Sequence, residues 1–361
     1  MAGEKLMRPD MPAVKKHWND FWERKNTSPM LWLTAIKEGM ADEFQRLNMP
    51  YPQRPGDDYK EYARNVLRNF AECMAFVGDE VPAINVSFGP DMFCGFMGQK
   101  IEYSDDSRGT SWSVRFEEEL EELLPVIRFD AGNPMFREML KMHREMAEEF
   151  DGRVIIGTLD YHSNWDAVCS LRDPVYASMD LMTCPETVKQ ALAQVGDCYG
   201  EYFRRFYEAG NMAETGTSCW VNVFCEKKYT TVNCDFITLL GPEQAREFVI
   251  PCLEKELESV DHAIYHLDGY TVTRLLPDIL KLPKLRAINF VPGAGAPADT
   301  TVYWLDTYRQ ILDSGVGVQI FCAAGDALEI HKALKRPNMI YTVFGGDEAW
   351  VRNFYGEFMS I

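Results

Sequence analysis

The stretch VNCDFITLLGPEQAREFVIPCLEKELESVDHAIYHLDG, residues 232–269, sets a helical segment between two short apolar runs. Pro242 stands at a first-turn position, where its missing N–H is no loss. Ala245, Phe248, Val249, Cys252, Leu253 and Leu257 then recur at helical spacing as one apolar stripe. The flanking runs, TTVNCDFI at 230–237 and HAIYHLD at 262–268, are rich in β-branched and aromatic residues and read as strands. Strand, helix, strand in this order implies parallel strands with the helix laid across them.

The same alternation runs through the chain. Further strand-like runs are MLWLTAI at 30–36, PAINVSF at 82–88, RVIIGTL at 153–159, RAINFV at 286–291, GVQIFCA at 317–323 and MIYTVF at 339–344, which brings the total to eight. Segments 57–77, 116–124, 134–150, 185–209, 302–313 and 325–334 have helical spacing. Eight strand–helix units in 361 residues predict an α/β fold of the (β/α)8 barrel type. The prolines of PGAGAP at 292–297 keep its glycines from opening a helix as a dinucleotide-binding turn does, so an open nucleotide-binding sheet loses ground. No repeat or linker divides the chain. We expect a single domain over 1–361, in which residues 1–79 supply an N-terminal helical extension and the first barrel strand.

Composition narrows the partners. With 37 basic against 55 acidic residues the formal net charge is −18, which repels phosphate backbones and argues against nucleic acid. The opening MAGEKLMRPDMPAVKKHW lacks a signal-peptide core, and no apolar run reaches the length of a membrane span, so a cytoplasmic protein is expected. The ten cysteines form no Cys-x-x-Cys pair and read as reduced thiols; with 18 methionines they suit a low-oxygen, anaerobic metabolism. A small-molecule substrate fits this composition, and a homodimer is an admissible assembly.

In a barrel, catalytic groups come from the carboxyl ends of strands and the loops after them. The polar residues at such places are Asp160, His162, Asp235, His266, Asp268, Asn289 and Cys322. His266 and Asp268, two apart on one strand, share a face, while Tyr265 and Leu267 project to the other. Such a pair can bind a metal, move a proton, or simply satisfy one another by a hydrogen bond. Cys322 can complete a zinc site with them or be an inert core thiol. LDYHSNWDAVCSLRD, 159–173, has the polar and aromatic density of a substrate loop, with Asp160, His162, Asn164 and Arg172 as contacts. Equally, Ser163 or Asn164 can cap the next helix and Arg172 pair with Asp173. GTSWS at 109–113, with Trp112, and SFGPDMFCGFMG at 87–98 are further loops able to wall a pocket. No Gly-x-Ser-x-Gly elbow, phosphate loop or His-Glu-x-x-His motif is present.

The 232–269 stretch resembles the central part of the uroporphyrinogen decarboxylase superfamily. There an Asp-containing strand is followed by a Pro-initiated helix and a His-bearing strand end. The likeness extends through LPKLRAINFVPGAGAP and GVQIFCAAGDALEIHKAL, and upstream through LDYHSNWDAVCSLRDPVYASMDLMTCPETV, covering about residues 80–345. The resemblance implies the same barrel and one of two chemistries: cofactor-free porphyrinogen decarboxylation, or zinc-dependent methyl transfer involving corrinoid proteins or thiols. The porphyrin enzymes' Arg-Gln-Ala-Gly-Arg and Asn-Leu-Gly-His-Gly motifs are missing, the first and last strands reading MLWLTAIKEG and MIYTVFGGDEA. The methyltransferases carry His-x-Cys and a later Cys; here His266 matches the histidine, Asp268 replaces the first cysteine and Cys322 stands for the second. A carboxylate in place of a thiolate makes the site harder, suggesting a different methyl donor or acceptor.

The resemblance therefore implies a methyltransferase passing a methyl group from a small O-, N- or S-methylated substrate to a corrinoid carried by a partner protein. His266, Asp268 and Cys322 would hold Zn2+, with His266, Asp268 and Asp235 catalytic. Asp160, His162, Asn164, Arg172, Trp112, Tyr265 and Asn289 would surround the substrate. The alternatives are a cofactor-free decarboxylase of a small carboxylic acid, anchored by Arg172, and a non-catalytic ligand-binding barrel.

Overall fold

The computed structural model describes residues 2–103, 110–296 and 301–361; Gly109 of the GTSWS loop and Pro297 lie outside them. Eleven strands are formed among the described residues: β1 Met30–Ile36, β2 Met74–Gly78, β3 Ala83–Ile84, β4 Ile101–Glu102, β5 Trp112–Ser113, β6 Ile155–Ile156, β7 Tyr229–Val232, β8 His262–Asp268, β9 Leu285–Val291, β10 Gly317–Phe321 and β11 Met339–Val343. All eight expected strands are present, β1 and β8 with the expected bounds. The central sheet has the order β2-β1-β11-β10-β9-β8-β7 and is parallel throughout except for β2. β11 lies parallel to β1, so the last strand of the chain is placed beside the first.

The hydrogen-bonded ring of eight strands is not complete. β3 and β6 pair with each other in parallel, apart from the main sheet. β6 reaches the next segment through Thr158, whose N–H donates to the Ser218 carbonyl at 2.8 Å. On the other side, antiparallel β2 takes the edge of β1 that β3 would need. β2 was expected as the end of a helix over 57–77. That helix stops at Arg68, widens through Asn69–Cys73 and gives way to MAFVG, a run whose apolar residues suit a strand as well as a helix face.

Helices cover the outside, and two of the expected ones, Pro134–Phe150 and Pro185–Ala209, have the expected bounds. The helix begun by Pro242 contains a widened turn at Ala245–Val249 before Ile250–Leu257. Pro251 explains it, because a proline has no N–H for the carbonyl one turn back. None of the described helices is long and apolar enough to cross a membrane.

The interior has two ends of opposite character. Alternate strand residues Met30, Trp32, Ile155, Tyr229, Ile264, Ala287 and Ile340 form an apolar cluster with Met11, Val14, Trp18, Phe21 and Trp22 of the helix Met11–Trp22. The Trp22 ring stacks on His262, the first residue of β8, with centroids 5.3 Å apart and planes within 5°. Its Nε1 donates to the Phe224 carbonyl at 2.6 Å, and Trp18 Nε1 donates to Asp79 O at 2.9 Å. The helical extension thus closes the amino ends of the strands, leaving the carboxyl ends as the open face. Trp22→Ala should cost about 3–5 kcal/mol of unfolding free energy, read as a lowered denaturant midpoint; an unchanged midpoint would show that the helix does not hold the interior closed.

Candidate functional site

Along β8 the residues facing inward are His262, Ile264, His266 and Asp268. The first lies under Trp22, the second in the apolar interior, and the last two at the open end. His266 is oriented from below by a line of side chains on the next three strands. Its Nδ1 pairs with Asn289 Oδ1 on β9, Asn289 Nδ2 donates to Gln319 Oε1 on β10, and Gln319 Nε2 donates to Thr342 Oγ1 on β11 at 2.9 Å. Asn289 and Gln319 are fully buried, so these bonds satisfy amides that have no access to water. A carbonyl oxygen facing Nδ1 selects the tautomer protonated there, which leaves the Nε2 lone pair of His266 free.

Asp235 arrives from the loop after β7. It opens the short 3-10 turn Asp235–Leu239, and the N–H groups of Asp235 and Phe236 each donate to the Asp166 carboxylate at 3.0 Å. Asp235, His266 and Asp268 place their ligand atoms within 4.8 Å of one another; so do His162, Asp166 and Asp235. His162 sits in the left-handed region at φ 43°, with Nε2 3.1 Å from Asp160 Oδ2 and Nδ1 4.0 Å from Asp235 Oδ2. Over Asp268 folds the glycine loop after β9. A Cβ on Gly293, at φ +76°, would stand 3.0 Å from Asp268 Oδ1 and 2.9 Å from Gly269 Cα, so the close approach requires glycine.

The field here is strongly negative. Burial alone lowers the His162 pKa, but the charges of Asp160, Asp166 and Asp235 overcome it and raise the imidazole to about 10. Burial pushes Asp160 up, yet His162, His266 and a bond from Trp220 hold it below the usual carboxylate range. Burial raises Asp235 against the pull of both histidines, and burial with the neighbouring Asp235 raises Asp166.

Two cavities open beside these groups. One of about 290 Å³ is lined by Tyr51, Asn85, Ser87, Asp160, His162 and Trp220. The other, of about 360 Å³, is lined by Asp235, Thr238, Asp268, Tyr270 and Gly293. Trp220 stands edge-on to His266 at 4.8 Å and stacks on Phe321, which stacks in turn on Phe344. This gives the mouth an apolar wall.

Several expected contacts are not brought to this place. Because Phe321 faces the mouth, Cys322 turns to the helices beside Tyr308, Tyr341 and Asp326, where burial pushes its thiol up to about 12. Asp235 takes the place expected for it beside His266 and Asp268. Arg172 is buried in an ion pair with Asp180 at 2.8 Å and also reaches Glu119 at 2.8 Å; its expected partner Asp173 instead caps the next helix through Val175 N–H. Asn164 braces the loop, Nδ2 donating to the Asn233 carbonyl at 2.8 Å and to Glu256 Oε1 at 2.9 Å. Tyr265 is in the outer core, and Trp112 is exposed on the β4–β5 hairpin. Asp166 and Trp220 went unselected in the sequence. Asp166 lies four residues after His162, in the first turn of the helix Asn164–Arg172, whereas Trp220 follows no recognisable strand.

No family model matches the chain, and no curated protein matches it either. Among solved structures it is similar to a B12-independent methionine synthase from Shewanella sp. W3-18-1 in complex with selenomethionine, at 11% identity and a TM-score of 0.41, over 92% of this chain and 96% of that one.

Behind the site lies Glu256, fully buried, accepting from Ser163 Oγ at 2.6 Å and from Asn164 Nδ2 at 2.9 Å. Burial raises its carboxyl from an ordinary 4.5 to about 7, against those two hydrogen bonds. A raised folded pKa means the stability it contributes is complete below its unfolded value and lost as pH climbs through the folded one. Glu256→Gln keeps an acceptor for both donors. It should therefore flatten the decline between about pH 4.5 and 8, with a gain on the order of 3 kcal/mol at the upper end, measured by urea unfolding. An identical pH slope in both proteins would remove Glu256 from that account.

Proposed function

We propose that the chain is a barrel-type methyltransferase moving a methyl group from a small O-, N- or S-methylated substrate to a corrinoid carried by a partner protein. A divalent metal would be held by Asp235, His266 and Asp268. The observation that carries the metal is the convergence of those three donors beside open cavities, with His266 offering a single oriented nitrogen. Imidazole nitrogen with carboxylate oxygens is a donor set that Zn2+ accepts, so the residues fit the ion. Asp235 here takes the part that the resemblance would give to Cys322. When bound, the ion would supply Lewis acidity to the heteroatom that gives up its methyl group.

The chain's own residues do the rest. Asn289, Gln319 and Thr342 fix the His266 ring, and Gly293 lets the loop close over Asp268. Trp220 and Phe321 offer an apolar face to a methyl group, and Asp160 and His162 line the adjoining cavity. The corrinoid acceptor is supported by the resemblance of residues 232–269 and their surroundings. The metal-free lyase is disfavoured because Arg172, its anchor for a substrate carboxylate, is held by Asp180 and Glu119. A purely structural His266–Asp268 pair is disfavoured because both are half-buried below open space rather than sealed.

Protein purified without chelator should contain zinc and transfer methyl to an added corrinoid protein, and His266→Gln and Asp268→Asn should abolish the transfer and lower the zinc content. Asn289→Ala, which leaves every ligand in place, should weaken metal binding by about 10–100-fold. Protein free of zinc whose activity survives the His266 and Asp268 changes would refute the metal assignment. Release of carbon dioxide from a small acid without corrinoid would favour the lyase instead.

A further inference from the structure

Asp235 belongs to two donor groups at once. On one side it meets His266 and Asp268, on the other His162 and Asp166, the ligand atoms of each group lying within 4.8 Å of one another. We propose that the site holds two divalent cations bridged by the Asp235 carboxylate, an inference that rests on the first group being the metal site proposed above. Each histidine has one ring nitrogen fixed by an outer partner and the other left for the shared carboxylate. His266 commits Nδ1 to Asn289, leaving Nε2. His162 commits Nε2 to Asp160 at 3.1 Å and directs Nδ1 toward Asp235 Oδ2 at 4.0 Å. A carboxylate or amide behind each imidazole is the outer-sphere arrangement that orients histidine ligands in metal centres.

Asp166 is fit to be a ligand although it is buried. Each of its oxygens accepts one backbone N–H, and a carboxylate oxygen has a second lone pair to give. The charge balance points the same way. Asp160, Asp166, Asp235 and Asp268 crowd the mouth, and among the described residues no lysine or arginine lines either adjoining cavity. His162, paired with Asp160 at 3.1 Å and facing Asp235 at 4.0 Å, offsets only part of this negative charge, and a pair of divalent ions would balance the rest. Two-metal sites with a bridging carboxylate use oxygen and imidazole donors of this kind.

The test is metal stoichiometry on the full-length protein, stripped with chelator and dialysed against Zn2+ alone. Two ions per chain are expected for the unaltered protein. One is expected for His162→Gln, for Asp166→Asn and for His266→Gln, and neither should be held tightly by Asp235→Asn. Loading with Mn2+ should give the electron paramagnetic resonance spectrum of a coupled pair in the unaltered protein and of an isolated ion in His162→Gln. Asp166→Asn also weakens a backbone cap, so its melting temperature is compared, and His162→Gln, which touches no backbone bond, is the deciding variant. Saturation at one ion that survives His162→Gln overturns the two-ion site while leaving the function proposed above intact. A second ion indifferent to His162→Gln and Asp166→Asn also overturns it, and binding of no ion overturns both readings.

Discussion

Four side chains bonded in a line, half-buried His266 to buried Asn289, Gln319 and Thr342, cross four parallel strands at the level where the apolar interior ends. Amides in that position are tolerated only if fully paired, since an unmet buried donor or acceptor costs about 1–3 kcal/mol. The requirement ties the register of β8 through β11 to one arrangement, with His266 opposite Asn289 and Asn289 opposite Gln319. A slip of one residue would turn these amides toward the helices and an apolar residue inward. The same line settles which nitrogen of His266 is exposed, so the fold and the chemistry of the mouth depend on one set of bonds.

The two ends of the interior follow from this division. Below the amide layer, the helix Met11–Trp22 seats its aromatic rings against the strand starts and covers that end. Above it, charged residues have access to water and to one another, and the aromatic wall of Trp220, Phe321 and Phe344 limits that access on one side. Charged groups are thereby gathered at the end where burial raises Asp166 and Asp235 and the crowd of carboxylates raises His162. Any ligand of this mouth must answer that negative field.

Much of this was legible in the sequence because it is periodic. The eight runs of strand character all became strands, and the alternation within HAIYHLD put His266 and Asp268 together on the inner face. Where periodicity was ambiguous the reading failed: MAFVG at 74–78 fits either a helix stripe or a strand, and β2 was lost to the helix before it. The contacts expected of Cys322 and Arg172 failed for a different reason. Cys322 has the wrong parity beside Phe321, and Arg172 found a buried carboxylate eight residues on, a pairing invisible to local spacing.

By itself, the sequence determined the order of strands and helices, the acidic balance and the shared face of His266 and Asp268, because each depends on neighbours a few residues apart. Tertiary structure alone decided that Asp235, rather than Cys322, would join them, that His162 would turn a nitrogen toward that same carboxylate, and that β2 would take the edge of β1. Those meetings join segments separated by tens of residues. Their partners are chosen by which strands lie side by side and which loops close over them, and no period along the chain encodes that choice.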